Sequence, residues 1–158
     1  MTHLPPLALS VRQPWAWAIV PGGKDFENRD WRKPNPGLAF RGRVAIHAST
    51  GMTRDEYESA ADFMRHSCGV VAPQPHLLVR GGIIGSVDVV DVVRYAGACT
   101  AEQRASPWFV GPVGLVLRDP APGDWGYDTP TGKAVLELRD AGYAGGERPC
   151  PVCNRGAP

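Results

Sequence analysis

Gly82-Ile83-Ile84-Gly85-Ser86-Val87-Asp88-Val89-Val90-Asp91-Val92-Val93-Arg94-Tyr95 is the stretch on which the fold turns. Seven of its residues are β-branched, and such side chains are stiff at χ1 and fit a pleated surface. Apolar groups occupy both parities, so both faces of this strand are expected to be buried, as in the wall of a barrel. Asp88 and Asp91 interrupt the run.

Shorter strands flank it. Arg43–Ala48 puts Val44 and Ile46 on one face and Ala45 and His47 on the other. Leu7–Val11 alternates weakly and reads as a first strand, the segment 106–118 ends in a strand near Val113–Leu117, and Lys133–Arg139 reads as the last. Two helices are expected between them. Gln13-Pro14-Trp15 opens a short one that runs to about Val20 and stops at Pro21-Gly22-Gly23. Thr53–His66 is the longer one: Thr53 and Glu56 have capping-box spacing, Tyr57, Ala60, Ala61 and Met64 recur at helical spacing with Phe63 beside them, and Gly69 is a stop. The expected class is α+β, a small mixed barrel of five to six strands with two or three helices. Residues 1–6 form a lead, 7–140 one domain, and 141–158 a Gly/Pro-rich tail.

Composition narrows the function. Nineteen glycines and sixteen prolines favour turns and short elements over long helices. The net charge of +1 gives no global field for nucleic acid, but from Arg12 to Arg43 seven cations face three anions, a local patch suited to phosphate. No apolar run approaches the roughly 20 residues of a membrane helix, and the N-terminus lacks the order of a signal peptide. Four scattered cysteines do not make a secreted disulfide scaffold, so a reducing cytoplasm is expected. Cys150 and Cys153 form one CxxC, a candidate half of a zinc site that Cys68 and Cys99 or a second subunit would complete; otherwise it is a reduced tail. No other cofactor is indicated.

Five segments in order carry a family resemblance: Leu9-Ser10-Val11-Arg12-Gln13-Pro14-Trp15-Ala16 with Gly23-Lys24-Asp25-Phe26-Glu27-Asn28-Arg29-Asp30-Trp31; Arg41-Gly42-Arg43; Ile46-His47-Ala48-Ser49; Gly82-Ile83-Ile84-Gly85; and Ser106-Pro107-Trp108-Phe109-Val110-Gly111-Pro112. Together they resemble the ASCH domain, with G-K-x-x-E-x-R as the core of the signature, over roughly residues 7–139. The resemblance implies a PUA-like barrel, related to RNA-binding PUA domains, with a cleft beside the first helix that takes RNA, single-stranded nucleic acid or a modified nucleotide. One branch of that family hydrolyses the acetyl amide of N4-acetylcytidine, and another is a ribonuclease. The amidohydrolase branch carries a Lys followed three residues later by a Thr; Lys24 matches the Lys, but Glu27 stands in place of the Thr.

The residue types fit a cleft. Gly22-Gly23 lets backbone approach a ligand beside Lys24. A lysine desolvated against Trp15 can act as nucleophile or base, or simply hold a phosphate. Glu27 and Arg29 share a strand face, where the carboxylate can accept from a base's exocyclic amine, act as a general base, or merely pair with the arginine. Trp15 and Trp108 can stack bases, whereas Trp17 points about 200° away from Trp15 on a helix. Arg12, Lys24, Arg29 and Arg41 would carry the charge. His47 and Ser49 leave their strand on one face and are expected near Lys24, and Ser106 can bind a phosphate or a base edge. Three functions remain open: a binding module, a small hydrolase with Lys24 and Glu27 catalytic, or a protein-interaction domain.

Overall fold

The computed structural model describes residues 4–31, 35–94, 96–123 and 136–137. Its framework is one sheet built from β1 (Leu7–Val11), β2 (Phe26–Arg29), β3 (Gly42–Ala48), β4 (Gly82–Val93), β5 (Val113–Pro122) and β6 (Leu136–Glu137), in the order β2-β5-β4-β3-β1-β6. β1 runs parallel to β3 and β6, and the other pairings are antiparallel. Three helices complete an α+β fold: α1 (Trp15–Ile19), α2 (Arg54–Cys68) and α3 (Ala101–Ala105). The sheet is a curled half-barrel, consistent with the PUA-like expectation, and it leaves β2 and β6 as edges. Of the expected last strand, only Leu136–Glu137 falls within the described residues.

The two aspartates that interrupt the β4 apolar run mark where the sheet bends. Register shifts between β4 and β5 fall between Ser86 and Asp88 and between Val89 and Asp91, and one between β3 and β4 lies at Ile46/His47. Such bulges raise the local twist and let a sheet curl. Both carboxylates meet cations there, Asp88 with Arg43 and Asp91 with Arg41.

The curl encloses Leu9, Val11, Val44, Ile46, Ala48, Val87, Val89, Leu115 and Leu117, and α1 plugs the hollow with Ala16, Ile19 and Val20 just beyond it. Gln13 sets that plug. Its Oε1 accepts from the Trp17 N–H at 3.0 Å and its Nε2 donates to the Val79 carbonyl at 2.7 Å, so a fully buried amide joins α1 to the segment before β4. A second cluster, with Phe26, Met64, Val93, Trp108 and Val116, packs α2 against the other side of β2 and β5. Both arms of the Thr53–Glu56 capping box form, and Gly69 ends α2 at φ 67°. α3 is the third helix that the expected class allowed for, at a position not singled out from the sequence. It is only five residues long, too short for a periodic signal, and its trace in the sequence is the Thr100–Gln103 capping box.

Gly85 sits where α1 meets the wall. A Cβ there would lie 2.7 Å from the Ala121 carbonyl oxygen and 2.9 Å from the Val20 methyls. Gly85→Ala is expected to lower unfolding free energy by about 1–3 kcal/mol through overpacking; a denaturant midpoint equal to wild type would show that the wall gives way freely.

Candidate ligand cleft

The glycine pair before Lys24 makes the site by turning the chain. Gly23 has φ +79°, which a β-carbon would strain, and Gly22 presses on α1, where an added Cβ would fall 2.7 Å from the Ala18 Cα. The Lys24 N–H then donates to the Ala18 carbonyl at 2.9 Å, and the side chain turns inward. Gly22 thus serves close packing onto α1, and Gly23 the left-handed turn.

β2 follows at once, and its alternation divides four residues between two tasks. Glu27 and Arg29 pair with Leu115 and Val113 and lie on one face; Phe26 and Asn28 lie on the other. The buried Lys24 ammonium donates to the Phe26 carbonyl and to Glu27 Oε2, the latter at 2.5 Å. Glu27 Oε1 lies 3.3 Å from Arg29 Nη2, which also donates to the Ser10 carbonyl at 2.8 Å. Lys24 Nζ stands 5.8 Å from the Trp15 ring centroid and the Arg29 guanidinium 5.9 Å from that of Trp31.

A cleft of about 460 Å³ opens over this pair. Lys24, Glu27 and Asn28 line it together with Trp15 of α1, Glu56, Ser59, Ala60 and Phe63 of α2, and Trp108 and Val110 of the loop before β5. The aromatic walls touch edge to face: Trp15 and Phe63 at 5.8 Å, Phe63 and Trp108 at 6.4 Å between centroids. Asn28 fastens the loop wall. Its Nδ2 donates to the Trp108 carbonyl at 2.8 Å, and its Oδ1 accepts from the Val110 and Gly111 N–H groups at 3.0 and 3.2 Å.

Of the residues singled out from the sequence, Trp15, Lys24, Glu27 and Trp108 come together in this cleft, with Arg29 holding Glu27 from behind. Arg12 pairs with Glu56 at its border. The others have different neighbours. Arg41 donates to Asp91 at 2.8 Å. Ser106 donates to Asp25 Oδ1 at 2.5 Å and accepts from the Trp108 N–H, so it braces the loop and does not line the cleft. His47 and Ser49 do not join Lys24: His47 is buried, with Nδ1 3.0 Å from Ser10 Oγ, and its neighbour in the strand pair is β1. Among the described cations of the basic stretch, Arg12, Lys24, Arg29, Arg41 and Arg43 each meet a carboxylate, with Lys24 and Arg29 sharing Glu27; Arg32 and Lys33 lie outside the described residues. Cys150 and Cys153 lie outside the described residues. Among the described residues, no group of three or more His, Cys, Asp or Glu is placed to hold a metal, and no helix is long and apolar enough to cross a membrane.

The wall supplied by α2 was missed. Glu56, Ser59, Ala60 and Phe63 stand at i, i+3, i+4 and i+7, one continuous helix face that the sequence does display. Asn28 was missed because its value lies in reaching a loop 80 residues onward.

A family model described as the ASCH domain matches residues 9–120. No curated protein matches the chain.

Two expectations follow from the geometry. Lys24→Met leaves the Glu27 carboxylate buried with only Arg29 nearby and should cost about 3–5 kcal/mol, while adding Glu27→Gln should recover a large part; additive losses in the double variant would show that the pair is not coupled. Burial lowers the pKa of His47 from its ordinary value. The unfolded imidazole therefore takes a proton at higher pH than the folded one. This contribution is complete above about 6.5 and is lost as pH falls through the folded value. Unfolding midpoints between pH 7.5 and 5 should fall more steeply in wild type than in His47→Asn; parallel slopes would remove His47 as the cause.

Proposed function

The chain belongs to the ASCH domain family, a family associated with RNA and nucleic-acid binding, and on that premise we propose that the cleft binds a single nucleobase, presented by a nucleotide or by single-stranded nucleic acid. The observation that carries this is the buried Lys24–Glu27 pair beneath aromatic walls. An ammonium has three donors, and two are taken by the Phe26 carbonyl and Glu27. The third, beside a carboxylate with lone pairs to spare, supplies one donor and one acceptor side by side. The Watson–Crick edge of a base carries that alternation in complement. Trp15, Phe63 and Trp108 supply the faces and edges against which a planar ring packs. The volume lies in the range of small-molecule sites.

A second reading rests on the same contact. A lysine amine 2.5 Å from a carboxylate, both facing one cleft, also places a nucleophile or base beside a proton carrier. Hydrolysis of a modified nucleoside or of RNA would then use Lys24 and Glu27 in those roles.

Calorimetric titration of the four nucleosides and of short single-stranded RNA and DNA, at two salt concentrations, tests both. Trp15→Leu should weaken binding about 5- to 150-fold, the loss of roughly 1–3 kcal/mol of stacking. Nucleoside affinity should change little with salt, and strand affinity should fall with it. Absence of binding to every ligand, or indifference to Trp15→Leu, sinks the binding proposal. Turnover of N4-acetylcytidine or RNA that disappears in Glu27→Gln while binding persists would establish the hydrolase; wild-type turnover in Lys24→Met would dismiss it.

A further inference from the structure

We propose that Arg12 is a phosphate anchor at the mouth of the cleft, held in reserve by Glu56, so that the site selects a nucleotide over the bare nucleoside. The inference rests on the base-binding reading above and extends it.

Arg12 leaves β1 just before α1, three residues ahead of the Trp15 wall. Its Nη1 pairs with Oε1 of Glu56, a residue that lines the cleft. The Arg12 side chain is 55% exposed and that of Glu56 38%, so the pair is a surface one. Pairs of that exposure hold a fold together weakly, which makes this one inexpensive to open. The guanidinium is also seated from below: a Cβ on Gly51 would stand 2.6 Å from Arg12 Nη2. Among the described residues no group accepts a hydrogen bond from Arg12 Nε or Nη2. A planar fork with one edge on a carboxylate and donors left over can receive a phosphate, which offers charge and bidentate geometry together.

The other cations near the cleft lack this spare capacity. Lys24 is buried beneath the base site, and Arg29 divides its Nη2 between Glu27 and the Ser10 carbonyl. A phosphate attached to a base held over Lys24 and Glu27 therefore has Arg12 as its partner at the border. Glu56 is the competitor. Its Oε2 accepts from the Thr53 N–H as the return arm of the capping box, which fixes the carboxylate in place facing Arg12. Neutral ligands leave the Arg12–Glu56 pair closed; an anion displaces Glu56 from the arginine.

The test measures affinities for cytidine, cytidine 5′-monophosphate and a cytidine dinucleotide, and reads the ratio of phosphorylated to bare ligand in each protein. Wild type should favour a phosphorylated ligand by roughly tenfold. Arg12→Gln should bring the ratio near one. Glu56→Gln, which keeps the capping box because Gln serves there too, should raise the ratio about two- to fivefold. Gly51→Ala should lower it by pushing the guanidinium off its seat. Preference for the monophosphate identifies a terminal monoester as the source of the phosphate, and preference for the dinucleotide identifies a strand's diester. If cytidine binds and the ratio is near one in every protein, the anchor is overturned and the base site stands. If no ligand binds, both fall together.

Discussion

A lysine and a glutamate taken out of water together constrain everything around them. Desolvating two charges costs more than their attraction returns unless geometry and further hydrogen bonds are good. Here the further bonds are the Phe26 carbonyl on one side and Arg29 on the other. Each requires a particular piece of backbone. Gly23 must turn through positive φ, the Lys24 N–H must find the end of α1, and β2 must hold register with β5 so that Glu27 and Arg29 face inward together. The plug helix, the turn and the edge strand are therefore positioned by one set of contacts.

That set also addresses a weakness of the sheet. A half-barrel leaves edge strands whose backbone groups lack a neighbouring ladder. Among the described strands β2 and β1 do not pair. Arg29 reaches from β2 to the Ser10 carbonyl of β1 and joins with a side chain what the ladder leaves open. The opposite face of the same four-residue strand fixes the loop before β5 through Asn28, and Ser106 repeats the attachment at Asp25. Trp108 is thus placed by hydrogen bonds to Asn28, one residue after Glu27, and through Ser106 to Asp25, two residues before it, and the aromatic wall cannot drift from the ion pair without breaking them.

Much of this was legible beforehand, for separable reasons. β3 was read from clear alternation and β1 from a weaker one, α2 from a capping box followed by helical spacing, and β4 from β-branched density. Lys24 and Glu27 were visible because they stand in the G-K-x-x-E-x-R signature of the family resemblance; residue type and spacing alone allowed a plain ion pair as readily. The errors concern where side chains point after a strand ends. His47 and Ser49 share a face with each other, as alternation requires, but the face is the one that meets Ser10, and alternation alone does not say which side of a sheet holds the cleft. The arginines were counted as charge when their partners, Asp88, Asp91 and Glu56, lay 44 to 50 residues away in sequence.

Those partners decide what kind of nucleic-acid surface this can be. A groove that tracks a phosphate backbone needs a row of cations with solvent-facing donors, because its affinity comes from counterion release. Among the described residues of that region, five cations are tied to four carboxylates, Lys24 and Arg29 sharing Glu27. What remains unmatched is local: one ammonium donor and one carboxylate under three aromatic rings, and the outer edge of a single arginine. Such an inventory suits one base and one phosphate far better than a length of strand. A longer nucleic acid would have to meet the site as one nucleotide lifted from its stack, and its neighbours would add little beyond contact with exposed residues such as Val110 at the rim.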